Sequence, residues 1–145
     1  MEVAMKEYNA ISGNIQGTYH EAAVKLGISD SEMNILYVLC SEGNGCKQSA
    51  MYKQTGMTRS TVNSAIRKLE KDGILYLAAG EGRNTCVNLT DMGKKHLEAT
   101  AAKIIAIERE IWLDWTEEER EIFLRLNRRY ARQLKEKIDS LEVQS

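Results

Sequence analysis

A chain of 145 residues, 43% hydrophobic and 28% charged, suits one globular domain with a sizeable core. It has no apolar run long enough to span a bilayer, and its opening MEVAMKEYNA has an early acid and no apolar signal core. A cytoplasmic protein with no membrane partner is therefore expected. The formal net charge of −1 argues against a uniformly basic nucleic-acid binder, so any such activity has to be concentrated in one part of the chain.

Residues 4–26 place Tyr8, Ile11, Ile15, Tyr19, Ala22 and Leu26 at spacings of three and four, which predicts an amphipathic helix. Ser29 and Glu32 have the spacing of a capping box before a second helix whose Ile35, Leu36 and Leu39 face the core. Gly43 to Gly45 ends that helix. Gln48 to Thr55 predicts a short third helix with Ala50 and Met51 inward, and TGMT links it to a fourth. Two helices joined by a short glycine-containing turn form the helix-turn-helix pattern.

The fourth helix is the most informative segment. Thr58 is its N-cap and Gly73 its stop. Val62, Ala65, Ile66 and Leu69 recur at i, i+3, i+4 and i+7 and make one inward stripe. Ser60, Ser64, Arg67 and Lys71 project opposite, flanked by Thr61, Asn63 and Lys68. Short donors near the helix start suit base edges in a major groove, and longer cations suit phosphates. Asn63 is the best candidate adenine reader, with Gln48, Thr58 and Arg59 beside this face.

Ile74 to Ala78 and Thr85 to Leu89 alternate as two strands joined by AAGEGRN, a hairpin wing. Arg83 near its tip can reach a backbone or a minor groove, with Glu81 to orient it and Asn84 next to it. Residues 46–96 carry nine Lys and Arg against four Asp and Glu, leaving eleven against seventeen elsewhere. The basic charge thus sits in the proposed reading module, where phosphate neutralisation would drive binding.

After Thr90 a single long helix is predicted to about Asp114, with Leu97, Ala101, Ile104, Ile105 and Ile111 as its apolar series. Thr116 and Glu119 cap a last helix whose Ile122, Leu126, Tyr130, Leu134, Ile138 and Leu141 share a seam. Such outer seams need cover. A symmetric dimer would supply it through Tyr8, Ile11, Ile15, Ile122, Leu126, Tyr130, Leu134 and Ile138, although the same helices could also close an intramolecular bundle.

From Gly27 to Gly93 the chain resembles the MarR family of bacterial and archaeal transcriptional regulators. The resemblance rests on GIS before ILYVL, the T-R-S-T-V start of the fourth helix, KLEKDGIL, and a wing in which Glu81, Gly82 and Arg83 precede Leu89, Thr90 and Gly93. It implies a mainly α fold with a small β-hairpin wing (α+β). A winged helix-turn-helix module at 29–96 would be flanked by dimerisation helices at 1–28 and 97–145, all in one domain. It also implies a homodimer on a double-stranded, near-palindromic operator, released by a small-molecule effector. Tyr19, Tyr37, Tyr52 and Trp112 are the candidate pocket walls. Glu81 stands where Asp is commoner in that family, and Ser64, Ala78 and Ala79 stand where basic residues are common, so this head is less basic than most.

Other chemistries find little support. Cys40, Cys46 and Cys86 form neither a paired framework nor a CxxC motif, and a thiol-based redox regulator is the alternative they leave open. His20 and His96 lack metal-ligand spacing, so no metal and no cofactor are expected. GNG at 43–45 and GEG at 80–82 read as turns, and NLT at 88–90 matters as a glycosylation acceptor only in a secreted chain. With no nucleophile–base spacing an enzyme is the weakest reading; a winged-helix module that binds protein without DNA is the stronger rival.

Overall fold

The computed structural model describes residues 2–144 apart from Asn44 and Arg83. Its elements run α1 (Val3–Leu26), α2 (Asp30–Glu42), β1 (Cys46–Lys47), α3 (Gln48–Thr55), α4 (Arg59–Lys71), β2 (Leu75–Ala79), β3 (Thr85–Leu89), α5 (Asp91–Ala99), α6 (Ala101–Asp114) and α7 (Glu117–Asp139). The fold is mostly helical with a three-stranded antiparallel sheet, and the chain forms two compact units, residues 1–105 and 106–145.

In the first unit the apolar periodicities converge on one core. Ile35, Leu36 and Leu39 of α2, Met51 of α3, and Val62, Ile66 and Leu69 of α4 are fully buried together with Leu75 and Val87 of the sheet. Each such side chain contributes about 1.5–3 kcal/mol on leaving water. The α4 stripe is the one its sequence predicts, and Ala65 is buried with it.

Helix ends are set by local chemistry. Gly27 closes α1 in the left-handed region, φ 72°, its N–H donating to the carbonyls of Ala23 and Val24. Ser29 accepts from the Glu32 N–H at 3.1 Å, but the predicted reciprocal bond is replaced: the Glu32 carboxylate accepts from the Ser29 hydroxyl at 3.2 Å. A complete capping box forms at α7 instead, with Thr116 and Glu119 satisfying each other's backbone N–H groups.

The wing is the predicted hairpin with one addition. β2 and β3 pair in the register Leu75↔Leu89, Leu77↔Val87 and Ala79↔Thr85. β1 then pairs with the other edge of β3 through Cys46↔Val87 and Lys47↔Cys86, giving the order β1-β3-β2. Residues 46 and 47 are too few to carry a strand pattern of their own and become a strand only by this pairing. The wing is thereby anchored to the start of the helix-turn-helix.

Where the sheet meets α5, Thr90 bonds to both sides of the junction. Its hydroxyl accepts from the Gly93 N–H at 2.9 Å and donates to the Gly73 carbonyl at 2.5 Å, while its backbone N–H donates to the Ile74 carbonyl at 3.1 Å. The first turn of α5 thus lies on the chain entering β2, closely enough that a Cβ at position 93 would overlap the Ile74 carbonyl.

The long helix expected from Thr90 to Asp114 is broken. At Thr100 the backbone leaves helical geometry, φ −127° and ψ −96°, and the Thr100 hydroxyl donates to the His96 carbonyl at 2.8 Å. A β-branched residue whose hydroxyl bonds back to the preceding turn is a poor helix propagator, and here it separates α5 from α6.

In the second unit, Phe123 packs edge to face against Trp112 and Trp115, whose own rings are tilted by 32°, with centroids 5.1–6.2 Å apart where α6 turns into α7. Arg120 donates to the carbonyls of Trp112 (2.7 Å), Leu113 (3.2 Å) and Trp115 (2.8 Å), groups a helix end leaves unpaired. No described residue of α7 is buried; Ile122, Leu126, Tyr130, Leu134 and Ile138 are all exposed, as are Tyr8, Ile11 and Ile15 of α1.

Candidate nucleic-acid interface

α3, the turn through Gly56 and α4 set the geometry. Gly56 adopts φ 67°, which lets the chain reverse between the helices. Thr58 caps α4 by accepting from the Thr61 N–H at 3.2 Å, and its hydroxyl donates to that of Thr61 at 2.9 Å. Opposite the buried stripe, Ser60, Ser64, Arg67 and Lys71 are exposed along one face, as the helical spacing predicts. Arg67 makes no ion pair among the described residues.

Three expected contact residues are otherwise engaged. The Lys68 ammonium pairs with Glu32 at 2.9 Å and Asp72 at 3.1 Å, tying α4 to α2. The hydrogen bond it donates to Glu32, followed by the one it donates to Asp72, raises its pKa above the usual lysine range. The Asn63 side-chain oxygen accepts from the Gln48 amide at 2.9 Å and from the Tyr52 hydroxyl at 2.7 Å. Position in a helix shows which way a side chain leaves the backbone, but not whether a residue fifteen positions away in sequence meets it.

Arg59 at the start of α4 lies with its guanidinium carbon 5.1 Å from the centroid of the Tyr52 ring, within cation–π reach. Tyr52, expected as a pocket wall, is therefore a junction residue between α3 and α4. Of the other expected wall residues, Tyr37 packs on the core, Tyr19 is exposed on α1, and Trp112 belongs to the aromatic cluster of the second unit.

At the wing tip, Asn84 is exposed but its side chain donates to the Glu81 carbonyl at 2.9 Å, and its own carbonyl accepts from the Gly80 N–H at 2.7 Å. Those bonds close the turn. Arg83, with its expected partnership to Glu81, lies outside the described residues.

The three cysteines are free thiols. Burial and then Glu98 push the Cys40 thiol up in pKa; burial, Glu42 and then Cys86 do the same for Cys46. The thiolate is the reactive form of cysteine, and a raised pKa leaves less of it at both positions. Among the described residues no group of three or more His, Cys, Asp or Glu is placed to hold a metal, and no helix is long and apolar enough to cross a membrane.

A short helix, a glycine turn, a second helix with an exposed polar face and a hairpin packed beside it define a winged helix-turn-helix protein. Residues 26–83 match the model of the MarR family. The uncharacterized HTH-type transcriptional regulator YwoH of Bacillus subtilis is 28% identical over 115 residues, covering 79% of this chain and 83% of YwoH. Among solved structures, NMB1585, a MarR family regulator from Neisseria meningitidis, superposes with a TM-score of 0.77 at 17% identity over 97% of this chain and 98% of that one. The Staphylococcus aureus MepR–DNA complex gives 0.69 at 21% identity, covering 92% and 99%. Over residues 26–83 the chain is thus similar to the MarR family, and its fold is the one seen in MarR family regulators of known structure.

Proposed function

We propose that this protein is a sequence-specific double-stranded DNA-binding regulator: a homodimeric repressor that occupies a near-palindromic operator and leaves it when a small molecule binds. The observation that carries the reading is the exposed face of α4, where Ser60, Ser64, Arg67 and Lys71 stand together in the chain's most basic segment. Short hydroxyls suit base edges, and the two cations reach flanking phosphates. The fold shared with MepR, solved on DNA, supports the same assignment.

Arg83 would contact the backbone or minor groove beside the site, and Gln48, Thr58 and Thr61 would line the start of α4. Lys68 would act differently, as the ionic anchor of α4 on α2. Exposed apolar residues on α1 and α7 support dimerisation, which would set two copies of α4 about 34 Å apart, one turn of B-DNA. An effector that favours a dimer with differently spaced heads would release DNA through its unequal affinity for the two states.

Selection of bound duplexes from a random pool tests the DNA reading. It is expected to enrich half-sites related by a two-fold axis with centres about 10 base pairs apart. Recovery of no enriched sequence would instead favour a winged-helix module that binds protein.

A further inference from the structure

We propose that Tyr52 is a specificity-positioning residue that prevents Asn63 from reading adenine and holds Arg59 at the start of α4. The proposal rests on the DNA-binding reading above.

Gln48 and Tyr52 are four residues apart on α3, so both project from one face of that helix. They meet the same atom across the junction, the Asn63 side-chain oxygen, at 2.9 Å and 2.7 Å. Gln48 supplies an amide N–H and Tyr52 an O–H, so the group between them is an acceptor. A carbonyl oxygen has two lone pairs, and these two donors use both. All three side chains are only partly exposed, which limits competition from water.

Adenine is read by an asparagine whose oxygen accepts from the base N6 amine while its own amine donates to N7. In this arrangement the oxygen is occupied. What remains of Asn63 is a donor, suited to acceptors such as guanine O6 and N7 or thymine O4, without the paired geometry that singles out adenine. The Tyr52 ring meanwhile holds Arg59, the first residue of α4, with its guanidinium carbon 5.1 Å from the ring centroid. One side chain thus fixes two residues on the DNA-facing end of the recognition helix.

The test is duplex selection with the full-length protein in four forms: wild type, Asn63→Ala, Tyr52→Phe and Tyr52→Leu. Asn63→Ala identifies the base position that Asn63 serves, as the one whose preference flattens. Wild type is expected to show no adenine preference there. Tyr52→Phe keeps the ring under Arg59 and returns one lone pair, so adenine at that position should rise by about fivefold or more. Tyr52→Leu should show the same gain and also lose preference at the position served by Arg59. Circular dichroism and thermal unfolding should match wild type for Tyr52→Phe, so a shifted base preference cannot be put down to a damaged fold. Identical base frequencies for Tyr52→Phe and wild type, or adenine already preferred by wild type at the Asn63 position, would overturn the proposal and leave the DNA reading standing. Failure of wild type to enrich any duplex would overturn both.

Discussion

Gly93→Ala is expected to destabilise the first unit by about 3 kcal/mol or more, the upper range for overpacking a filled site. The backbone of α5 at Gly93 lies against the Ile74 carbonyl, and an added Cβ would overlap that oxygen. The obstacle is main chain, not the end of a flexible side chain, so relief requires moving α5 away from β2. That movement would break the bonds from Thr90 to the Gly73 and Ile74 carbonyls, which join the end of the recognition helix, the wing and α5. Urea unfolding followed by circular dichroism measures the loss. A midpoint unchanged from wild type would show that this junction is softer than its geometry implies. The glycine of L-T-x-x-G is on this account a packing requirement and not a turn requirement, since Gly93 is helical and its φ is not positive.

Leu126→Glu combined with Leu134→Glu is expected to convert the proposed dimer into a monomer. Both residues lie on the seam of α7, at 43% and 46% exposure in the single chain. Covering a leucine contributes about 1.5–3 kcal/mol, and a symmetric interface uses each position twice. Removing four leucines and adding four carboxylates should raise the dissociation constant by well over a hundredfold, because each factor of ten takes about 1.4 kcal/mol. Sedimentation velocity at micromolar concentration reads the result, with circular dichroism to show that α7 stays helical. A double variant that still sediments as a dimer would place the interface elsewhere. The loss of the dimer should also abolish binding to a two-half-site duplex, since one head alone makes half the contacts.

Much of this fold is legible in the sequence, and the reasons differ by element. The stripe of Val62, Ala65, Ile66 and Leu69 has a clear 3.6-residue period, so α4 and its inward face follow directly. Thr116 and Glu119 carry a complete local signal for the start of α7. β1 carries none, because Cys46 and Lys47 become a strand only by pairing with β3, some forty residues away. The break at Thr100 was hidden by an apolar series that continues through it. At the site, the exposed face of α4 follows from spacing, whereas the engagement of Asn63 with Gln48 and Tyr52 and of Lys68 with Glu32 depends on tertiary neighbours. An outward-pointing side chain is available to a ligand only if no other helix has taken it.

The contrast between Arg67 and Lys68 supports the most direct test of the central claim. Both are exposed cations on α4, but Lys68 is paired with two carboxylates, while Arg67 has no ion pair among the described residues. Fluorescence anisotropy titrations of a selected duplex at several salt concentrations give the slope of log affinity against log salt. The account predicts a steep negative slope for wild type, reduced by about one unit per protomer in Arg67→Ala and unchanged in Lys68→Ala. A wild-type affinity that does not fall with salt would contradict DNA binding by this face, and equal loss of slope in both variants would contradict the division of labour between them.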